Sequence, residues 1–224
     1  MGQLLVAVLP LALGAAVSPT LLALQLLVLS GPTHRLARAW SLAIGAGLVL
    51  GAFSLLCVTG LQHLRPHHDG HKSATDATVL LASGLLLGAL AVRSRIRRPT
   101  AGERHSSKIA DRLTKASTPW FVGVGAIGMV VNFSTLLLVV PAVHEITHSS
   151  APTTDQFVAF VALYLIVLSP VLVPVVLATV LGSGADRALD ATHEWVGRNA
   201  RTIGTVIEAV FAVYLIVKGV RSIP

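Results

Sequence analysis

Five long stretches of this chain contain no charged side chain: Met1 to Thr33, Ala39 to Gln62, Ala77 to Val92, Ala116 to Val143 and Gln156 to Ala185. A sixth apolar stretch, Thr202 to Val217, is interrupted only by Glu208. A hydrocarbon layer about 30 Å thick is crossed by about 20 helical residues, and only structures that satisfy every backbone group internally survive there. These stretches therefore predict an all-α polytopic membrane protein with six transmembrane helices, at about 3–30, 38–62, 76–93, 118–143, 156–182 and 202–219. Composition agrees, with 54% hydrophobic and 12% charged residues against roughly 25% charged in soluble domains. The first stretch is too long, and lacks the preceding Lys or Arg, to be a signal peptide. Cys57 is the lone cysteine, so no intrachain disulfide forms.

The formal charge of +7 is distributed as a topology signal rather than as a nucleic-acid footprint. With six spans, alternate connecting segments hold 13 of the 17 Lys and Arg residues on one side and four on the other. The positive-inside rule then puts both termini outside the cytoplasm of a bacterial inner membrane, and the basic segments against anionic membrane lipid. No nucleic-acid partner is expected.

Three spans precede the basic cytoplasmic linker at 99–117 and three follow it, so residues 118–224 must enter the membrane inverted relative to residues 1–98. "VSPTLL" at Val17 to Leu22 echoes "VNFSTLL" at Val131 to Leu137, and "AVRS" at Ala91 to Ser94 echoes "GVRS" at Gly219 to Ser222. Two inverted three-helix repeats are the expectation, with a site between them at mid-membrane. A surface helix is expected at about 185–197, where the less polar residues of "GADRALDATHEWVGRNA" follow helical spacing.

Three polar interruptions fall inside spans: Ser18-Pro19, Asn132 with Ser134 and Thr135, and Ser169-Pro170 followed by Pro174. Proline removes a backbone donor and kinks a helix, and freed polar backbone in lipid requires protein or a wet cavity to receive it. Ser18, Pro19, Asn132, Ser134, Thr135, Ser169 and Pro170 are thus expected to line one substrate cavity. Glu208, near the middle of the sixth span, is the candidate for proton coupling. Gly47/Gly51 and Gly84/Gly88 have the spacing of close helix contacts, within a monomer or a homodimer.

Two histidine-rich patterns raise other chemistries. His144-Glu145-Ile146-Thr147-His148 reads H-E-x-x-H, a zinc-peptidase spacing, here at the outer end of a span and without an evident third ligand. "HLRPHHDGHK" contributes His67, His68 and His71 on the same side. With His144 and His148 these residues suit a divalent metal. A polar, pH-sensitive surface is the plainer alternative, and the expectation is a protein without enzymatic activity or obligatory cofactor.

The chain resembles the GAP (glycopeptidolipid addressing) family of the lysine exporter (LysE) superfamily. The resemblance rests on "LGAAVSPTLLALQLLVLSGPTHRLARAWSLAIGAGLVLGA", the basic linker and "RTIGTVIEAVFAVYLIVKGVRS". It implies an exporter carrying an envelope glycolipid or similar amphiphile toward the cell surface by alternating access. The wider superfamily implies an alternative, a small-solute exporter of amino acids or divalent metal; an intramembrane zinc peptidase is the third reading. Relatives often carry Asn-Pro-Lys in span four; here Phe133 and Ser134 follow Asn132, which leaves Asn132 as the residue carried over.

Overall fold

A computed structural model describes residues 2–31, 33–63, 74–96 and 117–221. His67, His68, His71 and nearly all of the basic linker lie outside them. The described chain is helical, without a strand: α1 (Gly2–Ala16), α2 (Pro19–Leu29), α3 (Arg35–His63), α4 (Ala74–Ile96), α5 (Trp120–Val131), α6 (Phe133–Thr147), α7 (Thr153–Leu181), a 3-10 turn (Gly182–Ala185) and α8 (Asp186–Arg221).

Three helical segments are long and apolar enough to cross a membrane: Arg35–Gly60, Thr153–Leu181 and Arg198–Arg221. The pairs α1/α2 and α5/α6 meet at bends of 55° and 72°, and counting each pair as one span raises the number to five. The apolar part of α4, Thr78–Arg93, falls short of the length required of a span. The protein is thus a multi-pass membrane protein, with three to five candidate spans among the described residues.

Two other expectations change. The surface helix and the last span are one helix of 36 residues, about 54 Å long at 1.5 Å per residue. The candidate span within it is Arg198–Arg221, and the charged N-terminal third lies outside that span. Helix α7 runs unbroken through Ser169, Pro170 and Pro174. Each proline deletes a single donor, and the flanking hydrogen bonds hold the helix together where no water competes for them.

The bundle packs α4 along α8 and α3 along α5, with α1 against α6 and α7, and α2 against α7 and α8. Helix α3 also touches α6 and α7, and α4 touches α6. Leu11, Leu21, Leu42, Leu50, Phe121, Met129, Leu138 and Leu215 are buried in one continuous core. The outward faces are equally apolar: Val6, Leu56 and Val180 are 71%, 68% and 77% exposed. Such surface suits lipid contact and would be an aggregation hazard in water.

Because lipid tails are as apolar as leucine, close backbone packing must supply much of the association between helices. The tightest approach is reciprocal: a Cβ on Gly45 of α3 would collide with the Val122 carbonyl of α5, and one on Gly125 of α5 with the Leu42 carbonyl of α3. Gly84 lies against Leu215 and Ile216, and Gly88 faces Ala212 across the α4–α8 contact.

Candidate functional site

Both bent pairs break at a residue outside helical geometry. Ser18 is extended (φ −115, ψ 92), and its Oγ accepts from the Leu21 N–H at 3.3 Å. It is therefore the N-cap of α2, with Pro19 at the first helical position, where its missing N–H costs nothing. The Ser18 N–H donates to the Ala16 carbonyl at 2.8 Å, turning the chain tightly over Val17. Asn132 has φ −79 and ψ 62, the dihedrals of an inverse γ-turn.

The two breaks satisfy one another. Asn132 Nδ2 donates to Ser18 Oγ at 2.7 Å and to Thr135 Oγ1 at 2.6 Å, and Thr135 Oγ1 donates to the Ala15 carbonyl at 3.0 Å. Ala15 lies in the last turn of α1, where carbonyls lack intrahelical partners. Since Thr135 spends its proton on Ala15, it must accept from Asn132, which fixes the amide orientation. Both Asn132 donors are then committed, and Oδ1 is the amide atom left to accept from a ligand.

Beside this junction lies a cavity of about 140 Å³, lined by Pro19 and Thr20 of α2, by Asn132, Ser134 and Thr135, and by Ala200, Gly204, Thr205 and Glu208 of α8, with Gly14, Val17, Leu138 and Ile207 completing the wall. Ser18 is 4% exposed and reaches the cavity through Asn132. Ser169 and Pro170 are partly buried on α7 and are not lining residues. Thr20, Gly204 and Thr205 also line the cavity, although the polar interruptions in the sequence do not mark them. Their signal was periodicity: Gly204 and Thr205 precede Glu208 by four and three residues, on one helical face.

Thr20 also lines an open groove of about 550 Å³ between α2 and α5, with Leu24, Pro119, Trp120, Gly123, Val124, Ile127, Gly128 and Val131. Apart from Thr20, its side chains are apolar.

The H-E-x-x-H segment forms the last turn of α6. The His144 and His148 rings stack at 4.1 Å between centroids, 18° from parallel, and His144 is 5% exposed. Glu145 Oε1 accepts from Lys218 Nζ of α8 at 2.5 Å. The carboxylate thus joins α6 to α8 as an ion pair. Among the described residues there is no group of three or more His, Cys, Asp or Glu able to hold a metal. Arg38 of α3, 8% exposed, lies with its guanidinium 5.3 Å from the centroid of the buried Phe121 ring, a cation–π contact that seats α3 on α5.

A family model described as Sap, sulfolipid-1-addressing protein, matches residues 8–221, nearly the whole chain. No curated protein and no solved structure matches significantly.

Proposed function

The chain belongs to the sulfolipid-1-addressing protein family, and on that premise we propose that it moves an envelope glycolipid toward the cell surface. The observation that carries this reading is the polar junction inside a bundle whose core is mainly apolar. Asn132, Thr20, Ser134, Thr205 and Glu208 gather at one small cavity where two helices break. Hydroxyl, amide and carboxylate groups of this kind exchange hydrogen bonds with sugar hydroxyls, and lipid offers them no such partners.

The transport mechanism proposed is alternating access between two inverted halves, with α4 counted as a sixth span and both termini outside the cytoplasm. The packing supports the two-fold relation. Exchanging the halves maps α1, α2, α3 and α4 onto α5, α6, α7 and α8. The α3–α5 contact then becomes α7–α1, α2–α8 becomes α6–α4, and α2–α7 becomes α6–α3, and each of these is present. Ser18 and Asn132, equivalent under this exchange, hydrogen-bond to each other, as residues beside a two-fold axis would. The same arrangement of broken helices fits placement in the lysine exporter superfamily. Glu208 is the proposed proton-exchanging group, and no hydrolytic step is assigned to Glu145.

The test is complementation. In cells lacking the endogenous protein, the wild type should restore glycolipid extractable from the cell surface. Asn132→Leu and Glu208→Gln should not, at equal membrane abundance. Unchanged surface glycolipid on loss of the protein, with lysine or zinc retained inside instead, would overturn the lipid reading in favour of a small-solute exporter.

A further inference from the structure

The polar cavity is too small to be the whole of a lipid site. At about 140 Å³ it falls below the roughly 300–1,000 Å³ of ordinary ligand pockets, whereas the α2–α5 groove, at about 550 Å³, lies within that range. The two spaces share a wall residue. Thr20 lines both, and Val131 of the groove is followed directly by Asn132 of the cavity.

Gly123 adds a second observation. Its neighbours in α5 have packing reasons to be glycine: Gly125 meets the Leu42 carbonyl, and a Cβ at Gly128 would lie 3.2 and 3.3 Å from Leu24 and Leu21. A Cβ at Gly123 would meet nothing within 4 Å. A mid-helix glycine costs about 0.8–1.0 kcal/mol relative to alanine, and here the cost is matched by no close contact. What the missing side chain does is leave the groove open along its length. Trp120, Ile127 and Val131, 51%, 66% and 71% exposed, form its rim.

Resting on the glycolipid reading above, we propose that the groove between α2 and α5 seats an acyl chain of the transported glycolipid, whose sugar passes the Thr20 threshold into the cavity at Asn132. The occupant is amphiphilic because the site is: a wall of Leu24, Val124, Ile127 and Val131 leads to the Asn132 Oδ1 acceptor and the Ser134 hydroxyl. A phospholipid of the surrounding bilayer would cover the apolar part equally well, but a lipid whose sugar engages the cavity gains the polar contacts in addition. Access is sideways from the bilayer, since the groove rim is part of the exposed outer face.

Photolabelling of the full chain tests this in phosphatidylcholine vesicles carrying either a diacyl glucosyl lipid or a phosphatidylcholine, each with a diazirine in its acyl chain. The glucosyl probe should label the peptide spanning residues 119–131. Unlabelled glucosyl lipid should compete this labelling away, and added phosphatidylcholine should not. Gly123→Phe should reduce it about tenfold, the change expected from losing roughly one side chain's worth of apolar burial, while Gly60→Phe, also in open space but on α3 outside the groove, should not. Equal labelling of residues 119–131 by both probes, or labelling indifferent to sugar-lipid competition in the wild type, would overturn the assignment. Specific labelling elsewhere on the chain would sink the groove and leave the glycolipid reading standing. If the wild type shows no competable glucosyl labelling anywhere, both fall.

Discussion

Replacing Asn132 by Ala removes the bond to Ser18 Oγ that joins the two helix breaks and the local bond to Thr135 Oγ1 in the first turn of α6. Hydrogen bonds between membrane helices average about 0.6 kcal/mol and reach about 1.7, and with about 0.5–1.5 kcal/mol for the local bond the two together are worth about 1–3 kcal/mol. Thr135 keeps its bond to Ala15 and Ser18 keeps its bond from Leu21, so neither partner is left bare. Ser18→Ala loses the shared bond and also the cap of α2, worth a further 0.5–2 kcal/mol or about that. Against a folding free energy of about 5–15 kcal/mol, each variant remains folded. The double variant should be less destabilised than the sum of the singles by about 0.6–1.7 kcal/mol, the worth of the bond they share. Equilibrium unfolding in mixed detergent micelles measures all four corners of the cycle. A control cycle pairs Ser18→Ala with Thr179→Ala, whose hydroxyl bonds within its own helix to Val175, and should add to within about 0.5 kcal/mol. A Ser18–Asn132 coupling no larger than the control refutes the junction.

Other outcomes follow from the same geometry. Gly45→Leu and Gly125→Leu must push α3 and α5 apart, and each should cost at least about 1–3 kcal/mol and lower membrane yield, whereas Gly123→Ala should be neutral or gain up to about 1 kcal/mol in the same unfolding assay. Glu145→Gln should leave glycolipid export unchanged and cost less than about 1 kcal/mol, because the Lys218 pair is partly solvated; loss of export at normal abundance would restore a chemical role to this carboxylate. Reporter fusions at Pro224 should be active only with a periplasm-type reporter and fusions near Gly102 only with a cytoplasmic one, and the reverse pattern would invert the sidedness.

Residue type and depth made much of this legible in the sequence. Uncharged stretches marked the apolar helices, because charge is costly in hydrocarbon whatever the fold. Ser18-Pro19 carried its own meaning, since serine caps and proline begins a helix, although it reads as a kink until the two helices are seen separately. Asn132 stood out as the polar counterpart of Ser18 in a faint repeat. The third interruption misled: prolines at 170 and 174 resemble a break, yet a missing donor bends a lipid-embedded helix more readily than it ends one. Close packing was harder to read. Gly47/Gly51 and Gly84/Gly88 have the expected spacing, but the tightest contact joins Gly45 and Gly125 from different helices, a relation that no spacing along one chain encodes. The α2–α5 groove was invisible for a related reason. In a sequence apolar nearly throughout, a lipid-facing wall and a groove-lining wall have the same composition, and only the space beside Gly123 separates them.

The central claim, that this chain carries glycolipid across the bilayer through the junction at Asn132, is tested most directly in reconstituted vesicles. A glucosyl lipid with a fluorophore on its acyl chain is placed in both leaflets, and an impermeant reductant destroys the fluorescence it can reach. With wild-type protein and an imposed proton gradient the protected inner-leaflet signal should decay, while vesicles bearing Asn132→Leu or Glu208→Gln should retain it as protein-free vesicles do. Retention of that signal with folded wild-type protein, or decay that both variants support equally, would contradict the account.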